Sequence, residues 1–117
     1  TIIPGFVSRH GEPLLSLGVM GGPMQAQGHT QMMVRLIDFS QNPQAASDAP
    51  RWQVMRDGTL ALEEGFPEDA AQELARRGHE VDFLESSNFG GAQLAQKLVN
   101  GYLGASDHRK DGVATGF

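Results

Sequence analysis

No cysteine occurs among the 117 residues, which excludes disulfides, thiolate metal sites and thiol nucleophiles in one step. Positive charge is also in short supply. Nine basic residues face 14 acidic ones for a formal net charge of −5, so attraction to a nucleic-acid backbone or an anionic bilayer is disfavoured. No apolar run is long enough to cross a bilayer, and Thr1 to Gly5 lack the basic-then-apolar order of a signal peptide. The four histidines, His10, His29, His79 and His108, fall at no recognised ligand spacing with one another or with Asp or Glu, so neither a metal nor a cofactor is expected. What is present is 39% hydrophobic residues and 15 glycines in a chain short enough for one core, which predicts a single domain over residues 1–117.

Punctuation along the chain places the elements. Ile2 to Val7 and Pro13 to Val19 flank a turn-like Ser8-Arg9-His10-Gly11-Glu12 and read as a hairpin. The near-continuous Leu14, Leu15, Leu17, Val19 suits a strand covered on both faces. Gly21-Gly22-Pro23 then opens a segment in which Met32, Met33, Leu36, Ile37 and Phe39 recur at helical spacing, with Pro23 suited to a first helical position. A short helix is expected over 44–49, a hairpin around Asp57-Gly58, and a helix over 67–77 that Gly78 terminates. A strand over 79–84, a loop over 86–91 and a last hairpin around Asn100-Gly101 complete an α+β order.

The one local pattern that carries chemistry is the pair Gly21-Gly22. A helix start has about four N–H groups without intrahelical partners and a positive end, and two residues without side chains let an anionic atom approach bare backbone there. The same two glycines also suit a tight turn, and both readings stay open on the local pattern. A phosphate loop is disfavoured, because no lysine followed by serine or threonine is present. His29 shares the following helix with Gln25, Gln27 and Gln31, where a hydrogen-bonded helper is the expected role. Glu63 and Glu64 are adjacent, would point to opposite faces of a strand, and are expected to be solvated. Asp107, Arg109, Lys110 and Asp111 read as a self-satisfied turn network, and Trp52 with the methionines of 24–33 as core. Thr1 has the chemistry of an N-terminal nucleophile, but Ile2-Ile3-Pro4 places it at a strand entrance.

Gly18-Val19-Met20-Gly21-Gly22-Pro23-Met24-Gln25-Ala26-Gln27-Gly28-His29 resembles the gamma-glutamyltranspeptidase (gamma-glutamyltransferase, glutathione hydrolase) family. So do Thr1-Ile2-Ile3-Pro4, Ala49-Pro50-Arg51-Trp52, Glu64-Gly65-Phe66, Arg77-Gly78-His79, Gly91-Ala92-Gln93 and Gly104-Ala105-Ser106-Asp107-His108-Arg109-Lys110-Asp111-Gly112, in order across the chain. The resemblance implies part of an N-terminal nucleophile hydrolase: an αββα sandwich, mainly antiparallel with helices on one face, cut autocatalytically from a precursor. It implies that this chain is the C-terminal portion of the small subunit, without the nucleophile segment, so that Thr1 is not the nucleophile. Gly21 and Gly22 would then form the backbone oxyanion hole, and Met20 would touch substrate. The implied partners are a small γ-glutamyl or related amide, a large subunit and the upstream part of the small subunit, with no nucleic acid and no membrane segment. The implied chemistry is acyl-enzyme hydrolysis or transfer, the isolated chain being inactive. The alternative is a non-enzymatic module that binds an anion at the Gly-Gly helix start.

Overall fold

Two sheets meet at a layer of helices in the computed structural model, which describes residues 2–116. The larger sheet is antiparallel. It runs in the order β1 (Pro4–Arg9), β2 (Glu12–Met20), β6 (Gly91–Leu98), β7 (Gly101–Ser106). The smaller holds β3 (Trp52–Val54), β4 (Leu60–Glu63) and β5 (Val81–Leu84). β3 and β4 form the expected hairpin, while β4 and β5 are parallel because α3 (Glu68–Arg76) carries the chain back between them. The His10-Gly11 turn has φ of 52° and 81°, the two positive values that let a two-residue loop follow the twist of β1 and β2.

Helix α1 (Met24–Met33) follows β2 directly, and Pro23 stands at its N-cap with φ −60°. Its last turn widens into a π-helical segment, Val34–Asp38, and Asn42 caps α2 (Pro43–Asp48) by accepting from the Gln44 and Ala45 amides. Leu15, Leu17, Val19, Ala92, Leu94 and Ala105 on one face of the larger sheet are buried with Met32 and Ala46 from the helices. α1 lies so close to β2 that a Cβ on Gly28 would stand 2.5 Å from Val19 Cγ1.

Among the described residues no helix covers the other face of this sheet, where only the segment around Ala114 approaches Gly104. β2 alternates strictly between buried and more exposed residues along Leu15 to Met20, so the expected coverage on both faces is absent within the described residues. Ser16, Gly18, Ala95 and Gly104 leave shallow clefts there, flanked by Phe6 and Tyr102, which are 69% and 79% exposed. This is one sheet-and-helix half of a two-sheet sandwich.

Glutamine amides stand in for strands at two sheet edges. Gln31 accepts from the Trp52 N–H at 3.0 Å and donates to its carbonyl at 2.8 Å, and Gln27, one helical turn earlier, makes the same pair of bonds to Val54. Gln44 repeats the arrangement at the Ser106 end of β7.

Candidate functional site

Gly21 and Gly22 connect the end of β2 to α1 with φ of +130° and +58°, values that bulky residues rarely adopt. The turn consumes the first amides of the helix: Met24 N–H donates to the Gly21 carbonyl and Gln25 N–H to the Gly22 carbonyl, both at 3.1 Å, and Pro23 has none to give. Two donors remain. Neither the Gly21 nor the Gly22 N–H meets an acceptor among the described residues. Both precede the positive end of α1, and a Cβ on Gly22 would touch nothing within 4 Å. Gly21 is half-buried and Gly22 and Pro23 are exposed, so the turn reaches the surface of this chain.

Around the turn, Met20 is exposed, and Gln25 accepts from the Ile3 N–H at 2.9 Å, tying the start of α1 to the chain before β1. His29 Nδ1 lies 2.7 Å from the Gln25 carbonyl, to which it donates, and Nε2 is enclosed and without a partner among the described residues. Met24 and Met32 are fully buried and Trp52 half-buried, as core residues should be. Thr1 lies outside the described residues.

Beneath the helices lies an ion cluster that local sequence did not disclose. Arg51, Glu63 and Asp107 are buried, and the Arg109 side chain is fully covered. Asp107 pairs with Arg51 at 2.5 Å and Arg109 at 3.1 Å, and Glu63 takes a two-pronged bond from Arg109 at 2.7 and 2.6 Å. Arg35, Arg51 and Arg109 also donate to Ala46, Ser47, Ala49 and Pro50 carbonyls at the C-terminal end of α2, where positive charge meets the negative pole of the helix.

Burial by itself would raise the Glu63 and Asp107 carboxyls. Hydrogen bonds from Arg109 to Glu63, and from the Ala92 and Arg109 amides to Asp107, overcome it and hold both below the ordinary carboxylate range. Arg51 and Arg35 are lowered chiefly by burial, whereas the Glu63 bonds raise Arg109. Glu63 is therefore not the solvated residue its neighbour suggested. It continues Leu60-Ala61-Leu62, four residues buried in a row, and that apolar run was the available signal that β4 is enclosed on both faces. Asp107 and Arg109 are likewise more than a turn, because they reach α2 and β4.

A sequence profile described as gamma-glutamyltranspeptidase matches residues 1–117. The glutathione hydrolase-like proenzyme YwrD of Bacillus subtilis (strain 168) is 32% identical over 126 residues, which take in 100% of this chain and 24% of that protein. Acylase ACY 1 proenzyme of Pseudomonas sp. (strain SE83) is 32% identical over 117 residues, 99% of this chain and 18% of that protein. Among solved structures, cephalosporin acylase from Bacillus halodurans superposes with a TM-score of 0.89 at 46% identity, covering 94% of this chain and 21% of that one. The gamma-glutamyltranspeptidase of Pseudomonas nitroreducens complexed with L-DON gives 0.85 at 26% identity, covering 100% and 62%. The chain thus spans about a quarter or less of the length of these curated relatives.

Proposed function

This chain belongs to the gamma-glutamyltranspeptidase family, and on that premise we propose that it is the oxyanion-binding part of an amide hydrolase or transferase acting on γ-glutamyl or related amides. The observation that carries the reading is the pair of unengaged N–H groups at Gly21 and Gly22.

A nucleophile on another part of the longer protein attacks the amide carbonyl, and the carbonyl oxygen takes the negative charge as the carbon becomes tetrahedral. The Gly21 and Gly22 amides meet that oxygen. They gain most when it is fully charged, and such a difference between ground and transition state is what accelerates a reaction. With a hydroxyl as nucleophile, its proton passes to the nitrogen as the C–N bond breaks, the amine leaves and an acyl ester remains; water or a second amine then takes the acyl group and returns a proton to the hydroxyl oxygen. Met20, at the end of β2 just before the pair, lines the acyl side of the site. The helix-free face of the larger sheet, with Phe6 and Tyr102 exposed, receives the second sheet of the sandwich from the upstream part of the small subunit, and a large subunit completes the substrate pocket.

Gly21→Ala tests this in the full-length processed protein with a γ-glutamyl anilide. At φ +130° an alanine is strained, and its Cβ would stand 2.9 Å from Gly90 Cα, so the amide must move. We expect kcat to fall by about 100-fold or more with the subunits still assembled. Unchanged turnover rejects the oxyanion role. An anion bound at the turn by a full-length protein without amidase activity would favour the binding-module reading instead.

A further inference from the structure

The Arg51–Asp107 pair grips one short stretch of backbone from both ends. Arg51 Nη1 donates to the Phe89 carbonyl at 2.8 Å, Asp107 Oδ2 accepts from the Ala92 N–H at 2.6 Å, and the two side chains bond each other at 2.5 Å. Between those anchor points lie Gly90 and Gly91, and the glycine turn rests on them. A Cβ on Gly90 would stand 2.0 Å from the Met20 carbonyl oxygen, and one on Gly21 would stand 2.9 Å from Gly90 Cα. Met20 is paired with Gly91 at the last rung between β2 and β6. On the helix side, the buried Phe89 ring clusters with Met24, the first residue of α1. The turn is therefore seated on Phe89–Ala92 from the strand side and from the helix side alike.

Gly90 and Gly91 offer no side chain by which packing could fix them, so their position has to be set at their flanks. Charge-assisted hydrogen bonds are short and directional, and they suit that task. We propose that Arg51 and Asp107 are positioning residues for the oxyanion donors: the ion pair fixes Phe89–Ala92, and Phe89–Ala92 fixes the Gly21 and Gly22 amides. This rests on the oxyanion reading of the two glycines and adds the device that aims them. Neither charged side chain touches the turn itself. Both act through backbone.

The test uses the full-length processed protein and a γ-glutamyl anilide. Arg51→Lys keeps a charge but cannot bond Phe89 and Asp107 together as a guanidinium does, and Asp107→Asn keeps an acceptor for Ala92 but loses the ion pair. Both should lower kcat by about 10- to 100-fold while KM moves by less than about threefold, because misplaced donors weaken transition-state binding more than substrate binding. Gly90→Ala, which leaves both charges in place and presses on the Met20 carbonyl, should reproduce the same split. Arg35→Lys is the structural control: it weakens the hold on the same α2 carbonyls without contacting Phe89–Ala92, and should lower the melting temperature with kcat unchanged. A kcat retained in Asp107→Asn and Gly90→Ala overturns the proposal, as does an equal loss in Arg35→Lys. Where Arg51→Lys does not assemble, Asp107→Asn decides. If Gly21→Ala is crippled while these variants are silent, only the positioning role fails; if Gly21→Ala is itself silent, the oxyanion reading fails first.

Discussion

The glycine turn and the ion cluster share the Phe89–Ala92 stretch, yet they treat their polar groups in opposite ways. In the cluster every carboxylate oxygen of Glu63 and Asp107 has a donor, and among the described residues only Arg51 Nε of the three guanidiniums is left buried without a partner. In the turn, two adjacent amides have none among the described residues. Saturated groups give rigidity. Open ones keep a donor free, and that difference is what the proposed oxyanion role of the turn draws on.

Asp107→Ala should break the contrast most forcefully, because it removes the carboxylate paired with the buried Arg51 and Arg109 guanidiniums and leaves the buried Ala92 N–H without its acceptor. A loss of about 3–5 kcal/mol in the unfolding free energy of the full-length protein is expected, and a loss below about 1 kcal/mol would show that the cluster carries little weight. Acid should act next, by the same route. Both carboxyls titrate below their reference values of 4.5 for Glu63 and 3.8 for Asp107, so the stability they contribute is whole above the unfolded values and is lost as pH falls through the lowered folded ones. Unfolding followed against pH should steepen below about pH 4, and Asp107→Asn should flatten that limb. A curve unaltered by the substitution would remove Asp107 from the account.

Smaller effects sharpen the distinction between side-chain and backbone roles. Gln31→Ala frees both polar groups of Trp52 at the edge of β3 and should cost about 1–2 kcal/mol, with Gln27→Ala costing less at the more exposed Val54. Equal losses from the two would argue that depth along the edge is irrelevant. Gly22→Ala should be the mildest: φ of +58° is a left-handed value that alanine adopts at about 1 kcal/mol, and its Cβ meets open space. A melting temperature as low as that of Gly21→Ala would mean that Gly22 is held as tightly as its neighbour.

Much of the fold was legible because its signals are local. His10-Gly11, Asp57-Gly58 and the Gly21-Gly22-Pro23 junction each declare a turn within a few residues, and the elements on either side follow. The turn's two glycines could be singled out for the same reason. What sequence could not disclose is which amides the turn would consume, since that depends on the 3.1 Å bonds from Met24 and Gln25. The ion cluster was illegible for a different reason. Arg51 and Asp107 are 56 residues apart and Glu63 and Arg109 are 46 apart, distances at which charge patterning along a chain says nothing about pairing. The parallel pairing of β4 with β5 likewise follows from how α3 crosses over, which no periodicity of either strand encodes.

The glutamines at the sheet margins have a consequence for growth. Open margins recruit foreign strands, and an in-plane amide is the smallest cap that stops them. Gln27 and Gln31 close one side of the smaller sheet, and Gln44 closes the Ser106 end of the larger. No described hydrogen bond covers the outer margin of β1 over Pro4–Arg9. An incoming ribbon would find vacant rungs along the whole β1 margin, and on the opposite margin a rung already filled at Ser106.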